Sequence, residues 1–361
     1  MESTRARYRV HSSAAPSPHL RKLPDAGTVL NISANLRLNL TGAEADPAQR
    51  SLRYRTALDM AEYADRSGFS SVNVEEHHVA DNGWLPSPLT MASAIAGRTE
   101  QCSIGVMALL VALYDPIRLA EDIAVVDLLS EGRLNFVAGM GYREVEYHIA
   151  NKPFAERGKW MDHVLETLLQ AWQDAPFDYK GKLVNVTPKP FSRPHPVFLV
   201  GGMSKPAARR AARFGLPFAP PVAEPELEAY YFEQLKHYGK KGFTHSPPAD
   251  FSVLFIHDQP DEAWKELGTY FLNEVIEYSS WKTEGVNRPL EFNSDSVDAL
   301  RAEKRYEIIT PAECIKRHRE RKDFFAAIHP LIGGMPLDRA WRCLKLYTEH
   351  VLIPLKREQP A

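Results

Sequence analysis

Cysteine is scarce in this sequence. Only Cys102, Cys314 and Cys343 occur in 361 residues, and no two of them form a CxxC pair. That usage argues against a disulfide framework and a thiolate metal site, and it fits a reduced, cytoplasmic protein. Long apolar stretches are missing as well: no run reaches the roughly 18 residues of a membrane-spanning helix. An excess of one charge is also absent. Lys and Arg total 44 against 46 Asp and Glu, a formal net charge of -2, so neither nucleic acid nor a membrane surface is implied as a partner. Residues 1–27 hold Arg5, Arg7, Arg9, Arg21 and Lys22 among prolines but no apolar signal core, and read as a flexible N-terminal arm.

The remainder has ordinary globular usage, 44% hydrophobic and 25% charged. Short β-branched runs alternate with helical patterns from Thr28 onward. The strand candidates are Thr28–Asn35, Ser71–Glu75, Ser103–Leu109, Leu134–Ala138, Val197–Val200, Leu216–Ala219, Phe251–His257 and Ala326–Leu331. Helical spacing separates them, for example at Tyr54–Ser67, closed by Gly68, and at Ile117–Leu129, opened by Pro116. Strands alternating with helices imply a parallel sheet joined by right-handed crossovers. Eight such units without a composition break favour one α/β domain over residues 28–361, a closed (β/α)8 TIM barrel with insertions in its βα loops. An open doubly wound sheet is the alternative. Residues 278–306 are weakly periodic and form either a lid insertion or a disordered stretch.

The stretch Val72–Val79, VNVEEHHV, ends a core strand in two acids and two histidines. Barrel enzymes collect their reactive groups at the C-terminal ends of strands. Strand alternation puts Glu75 and His77 on one side and Glu76 and His78 on the other. A histidine tuned by an adjacent carboxylate suits proton transfer near neutral pH. An acid and a histidine satisfying each other at a loop start fits the same residues. A metal site is the weaker reading, because no third ligand lies at useful spacing.

Several segments resemble the bacterial luciferase-like flavin monooxygenases: VEEHHVADNG at Val74–Gly83, SPLTMASAIAGR at Ser87–Arg98, PIRLAEDIAVVDLLSEGR at Pro116–Arg133, LNFVAGMGY at Leu134–Tyr142 and PVFLVGGMS at Pro196–Ser204. The resemblance implies a barrel that takes reduced FMN, or the deazaflavin F420, at its C-terminal mouth. It assigns His77 as the catalytic histidine, with Glu76, which would orient neighbouring groups, and His78 completing the catalytic set. It places Met107, Ala108 and Leu109 under the ring, with Met107-Ala108 at a position often joined by a cis peptide. It also sets Gly139 near the cofactor and the phosphate at Gly202, Met203 and Ser204, before a helix N-terminus. Luciferases carry an arginine where this chain has Met140; Arg143 could reach in its place, or pair with Glu146 on the surface. Arg157 is a second family-like arginine, for which ion pairing with a loop acid is the preferred reading.

The implied function is a two-component monooxygenase. A separate flavin reductase would supply reduced FMN, and O2 would oxygenate a small organic substrate through a peroxyflavin. The lack of a GxGxxG after the first strand agrees with an external NAD(P)H-consuming partner. Hydride transfer with F420, and a non-catalytic flavin-binding protein, are the alternatives. A homodimer through helix Pro88–Arg98 is expected by analogy, although core packing explains its Met91, Ala92, Ala94 and Ile95 equally well.

Overall fold

A computed structural model describes residues 32–42, 46–281 and 294–358. Eleven strands occur among these residues: β1 Ser33–Leu38, β2 Ser71–Val74, β3 Ser103–Leu109, β4 Leu134–Ala138, β5 Phe177–Tyr179, β6 Lys182–Val184, β7 Val197–Gly201, β8 Phe218–Ala219, β9 Val253–Ile256, β10 Tyr306–Ile309 and β11 Phe325–Ile328. Nine form one all-parallel sheet, ordered β10-β9-β11-β1-β2-β3-β4-β7-β8. β5 and β6 make a separate antiparallel hairpin. The helices are α1 Pro47–Ser67, α2 Pro88–Ala96, α3 Pro116–Leu129, α4 Glu144–Ile149, α5 Arg157–Ala171, α6 Lys205–Phe214, α7 Pro225–His237, α8 Pro260–Ser280, α9 Val297–Glu303, α10 Pro311–Glu320, α11 Leu337–Tyr347 and α12 Ile353–Arg357.

The alternation of strands and helices is thus that of the expected barrel, with two differences. β10 adds a ninth strand outside β9 and starts at Tyr306, the last residue of the segment read as irregular; α9 lies inside that segment. The middle of that segment, residues 282–293, lies outside the described residues, as do the N-terminal arm and residues 28–31. The first strand ends at Leu38, beyond the expected end at Asn35.

Sequence writes the two faces of the sheet differently. Ala34, Leu36, Leu38, Val72, Val74, Ile104, Val106 and Phe136 are fully buried, the half of each strand that meets the helices. Phe136 stacks on Phe198 at 4.9 Å between centroids, and the Trp172 indole donates to the Ala120 carbonyl at 3.1 Å. The intervening residues are polar or small and face the barrel axis. There Ser71 donates to Asn35 at 2.9 Å, and a Cβ on Gly105 would lie 2.2 Å from the Asn73 side-chain oxygen. Alternation thus separates an apolar outer core from a polar inner face.

Cap residues start the helices that follow the strands. Asp115 accepts from the Ile117 and Arg118 amides at 3.0 and 3.1 Å, and Pro116 occupies the first helical position of α3. Asp115→Ala should cost about 1 kcal/mol, read as a lower urea midpoint at unchanged slope. The opposite, N-terminal end of the barrel is tied by Arg133, whose guanidinium donates to the carbonyls of Ala96, Thr99, Cys102 and Ser130 and to the Thr99 hydroxyl. The three thiols are buried, and burial pushes each up to about 12, so none is a ready nucleophile. On α2, Met91, Ala92 and Ile95 pack into the chain's own core.

Candidate active site

The C-terminal strand ends surround a cavity of about 630 Å³, within the range of small-molecule and cofactor sites. Glu76 and His77 line it from the β2 end, Met107 and Ala108 from β3, Gly139 and Met140 from β4, and Gly202, Met203 and Ser204 from β7. The Met107-Ala108 peptide is cis. Three other residues expected at the site, Leu109 and Arg143 at the cofactor and His78 among the catalytic groups, do not line the cavity. Leu109 is fully buried beyond a register shift between Met107 and Leu109 and belongs to the core. His78 and Arg143 lie behind the cavity wall.

His77 is held on every side. Its Nδ1 meets Glu146 Oε1 at 3.0 Å, and its ring packs against Trp84, Tyr142, Tyr278 and Trp281 at centroid distances of 4.6 to 6.1 Å. The same Glu146 oxygen accepts from the His78 amide at 3.1 Å and from Arg143 at 3.3 Å. The Arg143–Glu146 pair foreseen on the surface therefore exists, but buried. Arg143 also donates to the His78 carbonyl at 2.5 Å and lies 4.0 Å over the Trp281 ring. It clamps the β2 loop and is not among the residues that line the cavity.

Burial alone would raise the Glu146 carboxyl. The hydrogen bond and charge of His77, with help from the His78 amide and Arg143, outweigh it and hold the group below its ordinary 4.5. An ionised Glu146 only accepts, so the neutral imidazole carries its proton on Nδ1 and leaves the Nε2 lone pair free. Glu76 has a different task. It accepts from the Leu110 amide at 2.6 Å, the Tyr114 hydroxyl at 2.5 Å and His78 Nε2 at 2.9 Å, fastening the end of β2 to the end of β3. Burial lowers His78, yet the hydrogen bond and charge of Glu76 lift it above its ordinary 6.5.

These shifts act on stability with opposite signs. A carboxyl held low in the fold lends stability above its unfolded value, and loses it as pH falls through the folded one; a raised histidine lends stability below its unfolded value, and loses it as pH rises through the folded one. Wild type should therefore be more stable than Glu146→Gln at pH 7, and the gap should narrow below about pH 4.5. Urea titrations at several pH values check this.

Across the mouth, the β7 end forms an anion cradle. A Cβ on Gly201 would lie 2.7 Å from Val137 Cγ1. One on Gly202, whose φ is +146°, would lie 2.6 Å from Ala207 Cβ. Ser204 caps α6, accepting from the Ala207 amide at 3.4 Å. Arg157 and Arg210 line the same part of the cavity. Arg210 is neutralised by Asp162. Arg157 donates from Nη1 to the Phe154 carbonyl at 2.9 Å and stacks 4.0 Å over the Phe154 ring. Its buried Nε has no partner among the described residues, and no acid pairs with it there. Among the described residues, then, the ion pair expected for Arg157 is not formed. The backbone cradle, helix N-terminus and guanidinium fit a phosphate-bearing cofactor.

Sequence reasoning missed Glu146 as the partner of His77, since 69 residues separate them, and it missed Arg37, which lies past the expected end of the first strand. Arg157 did carry a signal, a cation placed where the helix dipole disfavours one.

Parallel barrels that gather polar groups at this end are, as a class, enzymes. Comparison sets the family. The family model described as luciferase-like monooxygenase matches residues 37–326, and the chain belongs to that family. It is 27% identical over 165 residues to the alkanal monooxygenase beta chain of Vibrio harveyi, covering 44% of this chain and 51% of the other. The chain spans about half the length of the curated relatives it matches. Among solved structures, the monooxygenase RslO1 from Streptomyces bottropensis superposes with a TM-score of 0.70 at 24% identity, covering 90% of this chain and 99% of the other. The FMN complex of the oxygenating constituent of Pseudomonas putida 3,6-diketocamphane monooxygenase gives 0.61 at 16%, over 89% and 98%. An F420-dependent secondary alcohol dehydrogenase gives 0.63 at 18%, over 91% and 99%. No helix of the described residues is long and apolar enough to cross a membrane.

Proposed function

We propose that the chain is the oxygenating component of a two-component monooxygenase, using reduced FMN from a separate flavin reductase and O2 to oxygenate a small organic substrate. The observation that carries this reading is the His77–Glu146 pair, boxed by aromatic rings across the mouth from Arg157. Bound reduced FMN would supply the electrons for O2 activation. The chain's own residues do the rest. Arg157, the Gly202 and Met203 backbone and Ser204 would hold the phosphate. Met107, Ala108 and Gly139 would form the floor under the ring. Nε2 of His77 accepts a proton, and Glu146 steadies the imidazolium that results. Trp84, Tyr142, Tyr278 and Trp281 exclude water around that nitrogen and strengthen the pair.

A second reading is hydride transfer with F420. The fold likeness to the alcohol dehydrogenase favours it, as does Met140 standing where luciferases have arginine. Anaerobic titration with reduced FMN and with reduced F420, followed by absorbance, separates the two. Saturable binding of FMN at micromolar concentration with weaker F420 binding supports the first reading; the reverse order overturns it.

A further inference from the structure

A second polar wall lines the same cavity, opposite the anion cradle, and the cofactor-holding residues leave it unused. It is built from β1, β2, β10 and α8. Arg37 donates from Nε to Glu75. Among the described residues this is the guanidinium's one hydrogen bond, and its side chain is 23% exposed. Arg37 lines the cavity, so that exposure opens inward, and the two Nη groups are donors without acceptors.

The wall is fixed from behind. Glu274 accepts from Asn39 at 2.7 Å, from Thr41 at 3.1 Å and from Tyr306 at 3.3 Å. Its place in the cavity is on the His77 side: Glu274 and Tyr278 are four residues apart on α8, and Tyr278 packs on the His77 ring. β1 lies four strands from β7 in the sheet order, so the anion cradle and Arg37 face each other across the mouth.

The wall carries no excess of positive charge, because Arg37 shares it with two carboxyls, Glu75 and Glu274. Arg37 is paired with Glu75. Burial raises the Glu274 carboxyl, with Arg37 and Asn39 opposing, and burial pushes the Tyr306 phenol well above its usual range. A carboxylate ligand would meet no net positive charge here, and a hydrocarbon would leave two guanidinium donors unsatisfied. A neutral carbonyl avoids both penalties.

We infer that Arg37, backed by Glu75, is a specificity-determining residue that donates hydrogen bonds to a carbonyl oxygen of an uncharged organic substrate; this rests on the proposed function above. Calorimetric titration of the full chain with 2-acetylnaphthalene, 2-ethylnaphthalene and 2-naphthoate, with and without FMN, tests it. Wild type should bind the ketone at least about tenfold more tightly than the hydrocarbon or the carboxylate. Arg37→Met/Glu75→Gln, which removes both charges together, should bind ketone and hydrocarbon alike with FMN affinity unchanged. Should that variant not fold, Arg37→Lys, a single ammonium in place of the planar fork, should show a reduced ketone preference. Four results overturn the inference: ketone preference retained in these variants, naphthoate bound best, no ketone binding by wild type, or FMN affinity lost with the ketone preference intact. The FMN titration judges the flavin reading separately, because ketone preference is also measured without FMN.

Discussion

His77→Ala should lower oxygenation turnover by roughly 10²–10⁴-fold, the usual contribution of a positioned general acid or base. FMN affinity should change by less than about tenfold, because the phosphate grip lies across the mouth. Glu146→Gln sharpens the test. Glutamine keeps the size, and its amide oxygen can still accept from Nδ1, the His78 amide and Arg143, but it has no charge with which to steady the imidazolium. Turnover should fall by a similar order although a hydrogen bond survives. Residues that act as a unit are not additive, so the double variant should be little worse than His77→Ala. Product formation with reductase-supplied FMN, alongside flavin binding, checks all three. Equal turnover in wild type and Glu146→Gln would remove Glu146 from the proton path.

Arg157→Ala should weaken FMN binding by roughly 10–100-fold, the range for losing a hydrogen bond to a charged group. Riboflavin has the ring and side chain of FMN without the phosphate, so its affinity should not change. Arg157→Lys should fall between, since an ammonium keeps the charge but loses the fork. Fluorescence titration of oxidised FMN and riboflavin reads both values. A parallel loss for riboflavin would place Arg157 at the ring or in the fold.

Strand identity was largely legible because short runs rich in β-branched residues alternate with segments of helical spacing. β3 and β4 occur with the bounds expected from sequence, and β2 and β7 to within one residue. β10 was not legible: Tyr306–Ile309 follows Lys304 and Arg305 and has only four residues, and its partner β9 is remote in sequence. The site was legible where it sits on strand ends. His77, Met107, Ala108, Gly139 and Gly202 all reach the cavity. It was illegible where loops fold back. α4 turns Arg143 and Glu146 toward the β2 loop, converting an expected phosphate ligand into a clamp and a surface acid into the partner of His77. The place that the resemblance implied for Leu109 also differs: beyond the register shift its side chain is buried in the core.

On the proposed function, His77 in its aromatic box would sit beside bound reduced flavin and control the reaction of that flavin with oxygen. The most direct measurement mixes the anaerobic protein–reduced FMN complex with air-saturated buffer and follows the return of oxidised-flavin absorbance. Wild type should show a distinct lag before that absorbance rises, shortened in His77→Ala although the flavin stays bound. Identical traces for wild type, His77→Ala and free reduced FMN would contradict the claim.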